Sequence, residues 1–135
     1  NMMMKWNDNF SVKYDKIDEQ HQELIDIIND LALYIDEKDT EFSHLLDLVS
    51  KLDNYVAEHF KFEESLMKEY SYPDMENHVI QHNNLRSKME NLNIFSVDNT
   101  MEFYKNLLEE LINWLSHHIM MTDKKLGQYL SSLNN

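Results

Sequence analysis

His59 and Glu63 stand four residues apart, as do His78 and His82, in stretches free of helix breakers. On a helix each pair projects from one face. Pro73, the only proline, lies between the pairs, so two helices folding back there would bring four polar side chains together, as in the metal sites of helix bundles. Of the seven histidines, five (His21, His59, His78, His82 and His118) fall at core-facing positions, while His44 and His117 fall off them. Burying so many imidazoles beside a carboxylate costs several kcal/mol apiece unless something compensates them, against a domain stability of roughly 5–15 kcal/mol. The chain has no cysteine, which excludes thiolate sites, iron–sulfur clusters, disulfides and cysteine nucleophiles, so any metal must be held by nitrogen and oxygen. Imidazole and carboxylate suit zinc, iron, copper or nickel. With Asp123 the donors exceed the four of a closed zinc site, which points to two ions sharing carboxylates. None of the five core-facing histidines has a glutamate three residues before it, so the Glu-x-x-His pairs of ferritin-like di-iron bundles are missing from the seams.

Four apolar seams must carry these residues, each alternating spacings of three and four. The first runs Ile17, His21, Leu24, Ile28, Leu31, Ile35, and the second Phe42, Leu45, Val49, Leu52, Val56, His59, Glu63, Leu66, Tyr70. After Pro73-Asp74, which suits a first helical turn, the third reads Met75, His78, His82, Leu85, Met89, Leu92. The fourth is Met101, Tyr104, Leu108, Leu111, Leu115, His118, with Thr122 continuing the spacing. The pattern predicts helices over about 18–36, 41–70, 74–92 and 100–121 and a short helix over about 123–131. An extended arm over about 1–17 carries Trp6, Phe10 and Tyr14, Asp39 or Thr40 offers an N-cap, and Asn93 to Thr100 reads as a loop. At a rise of about 1.5 Å per residue, antiparallel helices bring the five histidines to one level within a turn or two. Asp123 lies roughly 140° around an ideal helix from His118, so it faces the same site only if the helix ends or bends near Thr122. Thr122-Asp123 would then cap the last helix.

These elements make one all-α domain of 135 residues, long enough to bury a core without disulfides. With one glycine and one proline, tight turns and phosphate-cradling loops have almost no material. Twelve basic residues against 25 acidic ones give a net charge of −13, which opposes binding to nucleic acid or an anionic membrane. No apolar run reaches the roughly 20 residues that span a bilayer, and the N-terminus lacks a signal-peptide pattern, so a cytoplasmic location is expected. Asn1-Met2-Met3-Met4 is set aside as a processing remnant.

The motifs Ile17-Asp18-Glu19-Gln20-His21, His59-x-x-x-Glu63, His78-x-x-x-His82 and Trp114-x-x-x-His118-Ile119-x-x-x-Asp123 together resemble the hemerythrin family, in its single-domain bacterial form, over nearly the whole chain. The resemblance implies an up-down-up-down antiparallel four-helix bundle, so that topology is not an independent expectation. It implies an oxo- or hydroxo-bridged di-iron centre in which His78, His82 and His118 bind one iron, His21 and His59 the other, and Glu63 and Asp123 bridge them. One position then stays open on the iron with two histidines. There the family likeness implies that O2 is held as hydroperoxide, its proton coming from the bridging hydroxide. Trp114, Leu115 and Ile119 would wall an apolar pocket that keeps out water and acids. The function expected is reversible dioxygen binding for storage, delivery or buffering, without enzymatic turnover and with no protein partner specified. The competing readings are a di-iron enzyme, either a peroxidase or a nitric oxide reductase, O2 or redox sensing on the same site, and metal storage.

Off the seams, Glu58 and Glu64 read as solvated surface charges, and His44 and His117 as surface residues. Tyr70, Tyr104 and Gln128 are candidates to orient ligands, and the nine methionines read as core filler. Two departures from the family pattern stand out. The arm around Val12-Lys13-Tyr14 lacks a glycine often found there, and Leu85 stands where an aromatic is common.

Overall fold

The heptad-like seams emerge as helices in the computed structural model, which describes residues 4–36, 42–90 and 101–133. Helix α1 spans Asp15–Asp36, α2 Phe42–Glu69, α3 Met75–Glu90 and α4 Met101–His117. A π-helical turn, His118–Asp123, then leads without interruption into α5, Lys124–Ser132. The expected caps Asp39 and Thr40, the side chain of Phe42, Leu92 and the loop from Asn93 to Thr100 lie outside the described residues.

Side-chain pairs fix the directions. His21 meets His59 near one end of α1 and Tyr34 meets His44 near the other, so α1 and α2 are antiparallel. Phe60 and Glu64 of α2 meet His82 and Arg86 of α3, with the chain reversing through Tyr72 beside His78. Lys88 pairs with Glu110 and His78 with Asp123, so α3 and α4 are antiparallel too. His21 against Asp123 closes the ring between α1 and the end of α4. The result is the up-down-up-down bundle.

Two apolar clusters fill it. The larger is built on Leu24, Ile28 and Leu31 of α1, Leu45, Leu52 and Phe60 of α2, Leu85 of α3, and Leu108, Leu115 and Ile119 of the last helical stretch. The smaller gathers Val12, Ile17, Leu66, Met67, Tyr72, Leu126 and Leu130. His21 falls between Ile17 of the smaller cluster and Leu24 of the larger, Glu63 between Phe60 and Leu66, and Asp123 between Ile119 and Leu126. Site and dry surroundings are therefore set by the same periodicity.

Helix α2 ends one residue before the expected Tyr70. Ser71, at φ 52°, turns left-handed, and the amides of Ser71 and Tyr72 donate back to the carbonyls of Lys68 and Met67. This is a Schellman termination, with Tyr72 and Met67 packed in the smaller cluster. Tyr70 consequently leaves the seam and is exposed, as is Met101 at the start of α4.

The N-terminal arm is more structured than the sequence suggests. It contains a 3-10 turn, Asp8–Phe10, and hands over to α1 at Asp15, three residues earlier than expected. Met4, set aside on sequence grounds, is buried in the larger cluster, and its amide and carbonyl bond the Asn29 side-chain amide at 2.8 Å each. Trp6 and Phe10 pack on the same cluster and Tyr14 on the smaller one.

Candidate metal centre

His21 comes from α1, His59 and Glu63 from α2, His78 and His82 from α3, and His118 and Asp123 from the two ends of the π turn. All seven side chains are buried, none more than 2% exposed. Helical spacing of four explains the α2 and α3 pairs. His118 and Asp123 need the π turn: its i to i+5 bonding takes five residues into a single turn, so both ends face the same side. The expected helix break is therefore absent. Asp123 is helical and makes no capping bond, and the Thr122 hydroxyl donates instead to Gln81 Oε1 at 2.6 Å.

The donors form two overlapping groups, in each of which one atom per residue lies within 4.8 Å of the others. One group is His78, His82 and His118 with Glu63 and Asp123. The other is His21 and His59 with the same two carboxylates. Glu63 turns Oε1 toward Nε2 of His78 (3.4 Å) and His82 (3.0 Å), and Oε2 toward Nε2 of His59 (3.5 Å). Asp123 does likewise, with Oδ1 toward Nε2 of His78 (3.0 Å) and His118 (3.1 Å) and Oδ2 toward Nε2 of His21 (2.9 Å). Each carboxylate thus presents one oxygen to each group.

Three imidazoles have their outer nitrogen fixed. Nδ1 of His59 donates to Gln20 Oε1 (2.7 Å), Nδ1 of His82 to Glu64 Oε2 (2.7 Å) and Nδ1 of His118 to Gln81 Oε1 (3.0 Å). A neutral ring carrying its proton on Nδ1 leaves a lone pair on Nε2. Those lone pairs face carboxylate oxygens, which are acceptors too. Acceptor against acceptor in a buried site is unfavourable unless a cation lies between them. The same conclusion follows from the inward-facing buried atoms that find no hydrogen-bond partner among the described residues, namely Nε2 of His21, His59, His78 and His118, Oε2 of Glu63 and both oxygens of Asp123; the outer Nδ1 atoms of His21 and His78 find none either. The residues present fit a metal pair held by nitrogen and oxygen.

Without metal, burial and the neighbouring charges compete over the protonation of these groups, and burial wins at His59, His82 and Glu63. Burial, and then His21, push His59 down to about 3; burial, then His78 and His118, push His82 down to about 2. For His78 burial acts downward, yet the Asp123 and Glu63 carboxylates beside its Nε2 win and lift it to about 9. Burial and the neighbouring Asp123 raise Glu63 well above the usual carboxylate range. Asp123 goes the other way: burial opposes its charge, but His118, His21 and His78 hold it well below that range. A proton at His78 is the cation that a metal ion would displace.

The orienting residues are not the ones expected. Tyr70 and Gln128 are exposed, and Tyr104 sits in the apolar cluster some 21 Å along the helix from His118 at about 1.5 Å per residue. Glu64, read as a surface charge, is only 23% exposed and holds His82. Gln20 and Gln81 directly precede ligand-type histidines in the chain yet serve histidines on neighbouring helices. Position beside a seam, on the flank facing the next helix, was the only available signal. Glu58, His44 and His117 are exposed as expected. Trp114 is half-buried and stacks on His118 (4.4 Å, 14° between planes), while Phe60, singled out by nothing in the sequence, stacks on His82 (3.8 Å, 8°). Leu115 and Ile119 are buried in the larger cluster.

Residues 12–130 match the family model described as the hemerythrin HHE cation binding domain. A bacteriohemerythrin of Clostridium acetobutylicum is 28% identical over 130 residues, covering 91% of this chain and 98% of that protein. A myohemerythrin of Riftia pachyptila is 30% identical over 120 residues, covering 89% and 88%. Among solved structures, a wild-type hemerythrin superposes with a TM-score of 0.81 at 23% identity, over 95% of this chain and 97% of that one. With 119 of its 135 residues inside the family model, the chain belongs to the hemerythrin family.

Proposed function

We propose that this chain binds dioxygen reversibly at a pair of iron ions. His78, His82 and His118 would hold one ion and His21 and His59 the other, with Glu63 and Asp123 spanning both. The observation that carries the reading is the division of each carboxylate, one oxygen to each imidazole group, around lone pairs that have no proton donor to face. When bound, such a pair supplies reversible two-electron exchange with O2.

The protein's own part is positional. Five residues converge in one group and four in the other, so the place between His21 and His59 has fewer protein donors and is where an outside ligand fits. Gln20, Glu64 and Gln81 fix three rings in the tautomer that offers Nε2. Apolar clusters on both sides exclude water and external acid, with Leu115 and Ile119 as the wall contributed by the fourth helix. Trp114 supports that wall by bracing His118. A site closed in this way favours holding and releasing a small ligand over chemical turnover. O2 is the partner this reading needs; among the described residues no helix is long and apolar enough to cross a membrane.

The test is metal analysis followed by anaerobic reduction and O2 titration. About two irons per chain and a visible band that appears with O2 and vanishes on its removal, over repeated cycles, are expected. A different metal, or turnover of peroxide or nitric oxide without a reversible band, would overturn the reading.

A further inference from the structure

The three outer contacts to imidazole are unequal. His59 and His118 donate to neutral glutamine amides, whereas His82 donates to a carboxylate, that of Glu64. Glu64 in turn is gripped by Arg86 through two bonds, Nη1 to Oε2 at 2.8 Å and Nη2 to Oε1 at 3.1 Å. This fork-to-fork pairing fixes the plane of the carboxylate. Arg86 also lies over the Phe60 ring, 5.2 Å from its centroid, and Phe60 stacks on His82. Glu64, Arg86 and Phe60 thus close a ring with the His82 imidazole, and among the described residues only this one of the five buried histidines bonds a charged group through its outer nitrogen.

Resting on the di-iron reading above, we propose that Glu64 and Arg86 set the electron-donating strength of His82 and so the redox potential of the metal pair. An imidazole whose Nδ1–H is shared with a carboxylate is a stronger donor at Nε2. It favours the more oxidised metal and lowers the potential. Arg86 limits the effect by offsetting part of the Glu64 charge. Both are positioning residues, acting through His82, and they work at the three-histidine group, away from the place where the outside ligand fits.

The two residues therefore have opposite signs. In Glu64→Gln the amide oxygen still accepts from His82 but the charge is gone, so the potential rises. In Arg86→Met the carboxylate is left unopposed, so the potential falls. If the ring served only to hold His82 still, loosening it from either side would shift both variants the same way. The experiment loads wild type, Glu64→Gln, Arg86→Met and the control Glu58→Gln with iron and titrates each with dithionite, which gives one electron per iron(III). Glu58 is exposed and one residue before His59, so its variant removes the same formal charge near the site without the hydrogen bond. Cobalt(II) affinity, read by absorption without iron or O2, accompanies each, with a loss of about 10-fold to 100-fold expected for Glu64→Gln.

Opposite shifts in the two variants, with Glu58→Gln close to wild type, are the expected result. Shifts of the same sign, no shift, or an equal shift in Glu58→Gln would overturn the proposal. Where Glu64→Gln takes up no iron, Arg86→Met decides by itself, since a rise or no change sinks the idea. Failure of wild type to hold two irons would instead defeat the di-iron reading, and with it this one, and is seen before any variant is compared.

Discussion

Glu63 and Asp123 each face two sets of imidazoles, so truncating either takes a donor from both. Glu63→Ala and Asp123→Ala should reduce bound iron toward zero per chain, whereas His21→Ala should spare the three-histidine ion and leave about one. Elemental analysis of purified variants reads this directly, and equal losses in all three would contradict shared carboxylates. Leu115 acts otherwise. It is 6% exposed and touches the larger cluster, so Leu115→Ala opens a cavity costing about 2–5 kcal/mol. Water gains a route to the site, and oxidation of the reduced iron protein in air should accelerate; an unchanged rate would remove Leu115 from the pocket wall. At this scale the sequence was informative where periodicity and chemistry coincide. A histidine on an apolar seam is conspicuous because burial makes it expensive. Glu64, Gln20 and Gln81 were not, because a polar residue on a helix flank looks the same whether it meets water or a neighbouring helix's imidazole.

Elements show where backbone geometry departs from pattern. The single glycine, Gly127, is not at a left-handed position; it allows α5 to lie against the arm. A Cβ built there would stand 2.0 Å from the carbonyl oxygen of Val12, which is backbone and cannot rotate away. Gly127→Ala should therefore push off the arm and cost about 1–3 kcal/mol, as overpacking does. Urea denaturation would show it, and a neutral result would mean the arm is free to shift. Conversely, the two left-handed residues among those described are Lys13 and Ser71, where glycine would be unstrained. Ser71→Gly keeps the Schellman bonds and relieves the Cβ clash, so a gain of about 1 kcal/mol is expected. Lys13 falls in the segment where the family's glycine is missing, and its positive φ supplies the reason a glycine suits the arm. Helix existence was legible from seams of three and four. The π turn was not, because an extra residue in a turn leaves no mark in hydropathy, and only the need to bring Asp123 beside His118 hinted at it.

At the scale of the whole molecule, a polar layer divides two apolar clusters, so stability depends on what neutralises that layer. A metal that binds only the folded chain adds to its stability, and chelation should lower the melting temperature. For the metal-free chain the pH dependence has two limbs. His59 and His82 are held neutral, at about 3 and about 2, below their ordinary value of 6.5. The unfolded chain therefore binds more protons than the folded one as pH drops below 6.5, and stability must fall toward acid. His78, lifted to about 9, acts in the opposite sense. Its contribution is complete below 6.5 and is lost as pH rises through 9, and the raised Glu63 reinforces this loss. Urea midpoints of chelator-treated protein should thus peak near neutral pH and decline on both sides. Metal uptake displaces the proton on His78, so affinity should rise with pH and protons should be released, measurable in weakly buffered solution. Iron-loaded protein, with Nε2 of His78 committed to the metal, should lose the alkaline decline and keep the acid one. A metal-free chain whose midpoint stays flat between pH 6.5 and 9 would show that His78 does not carry the proton of the polar layer.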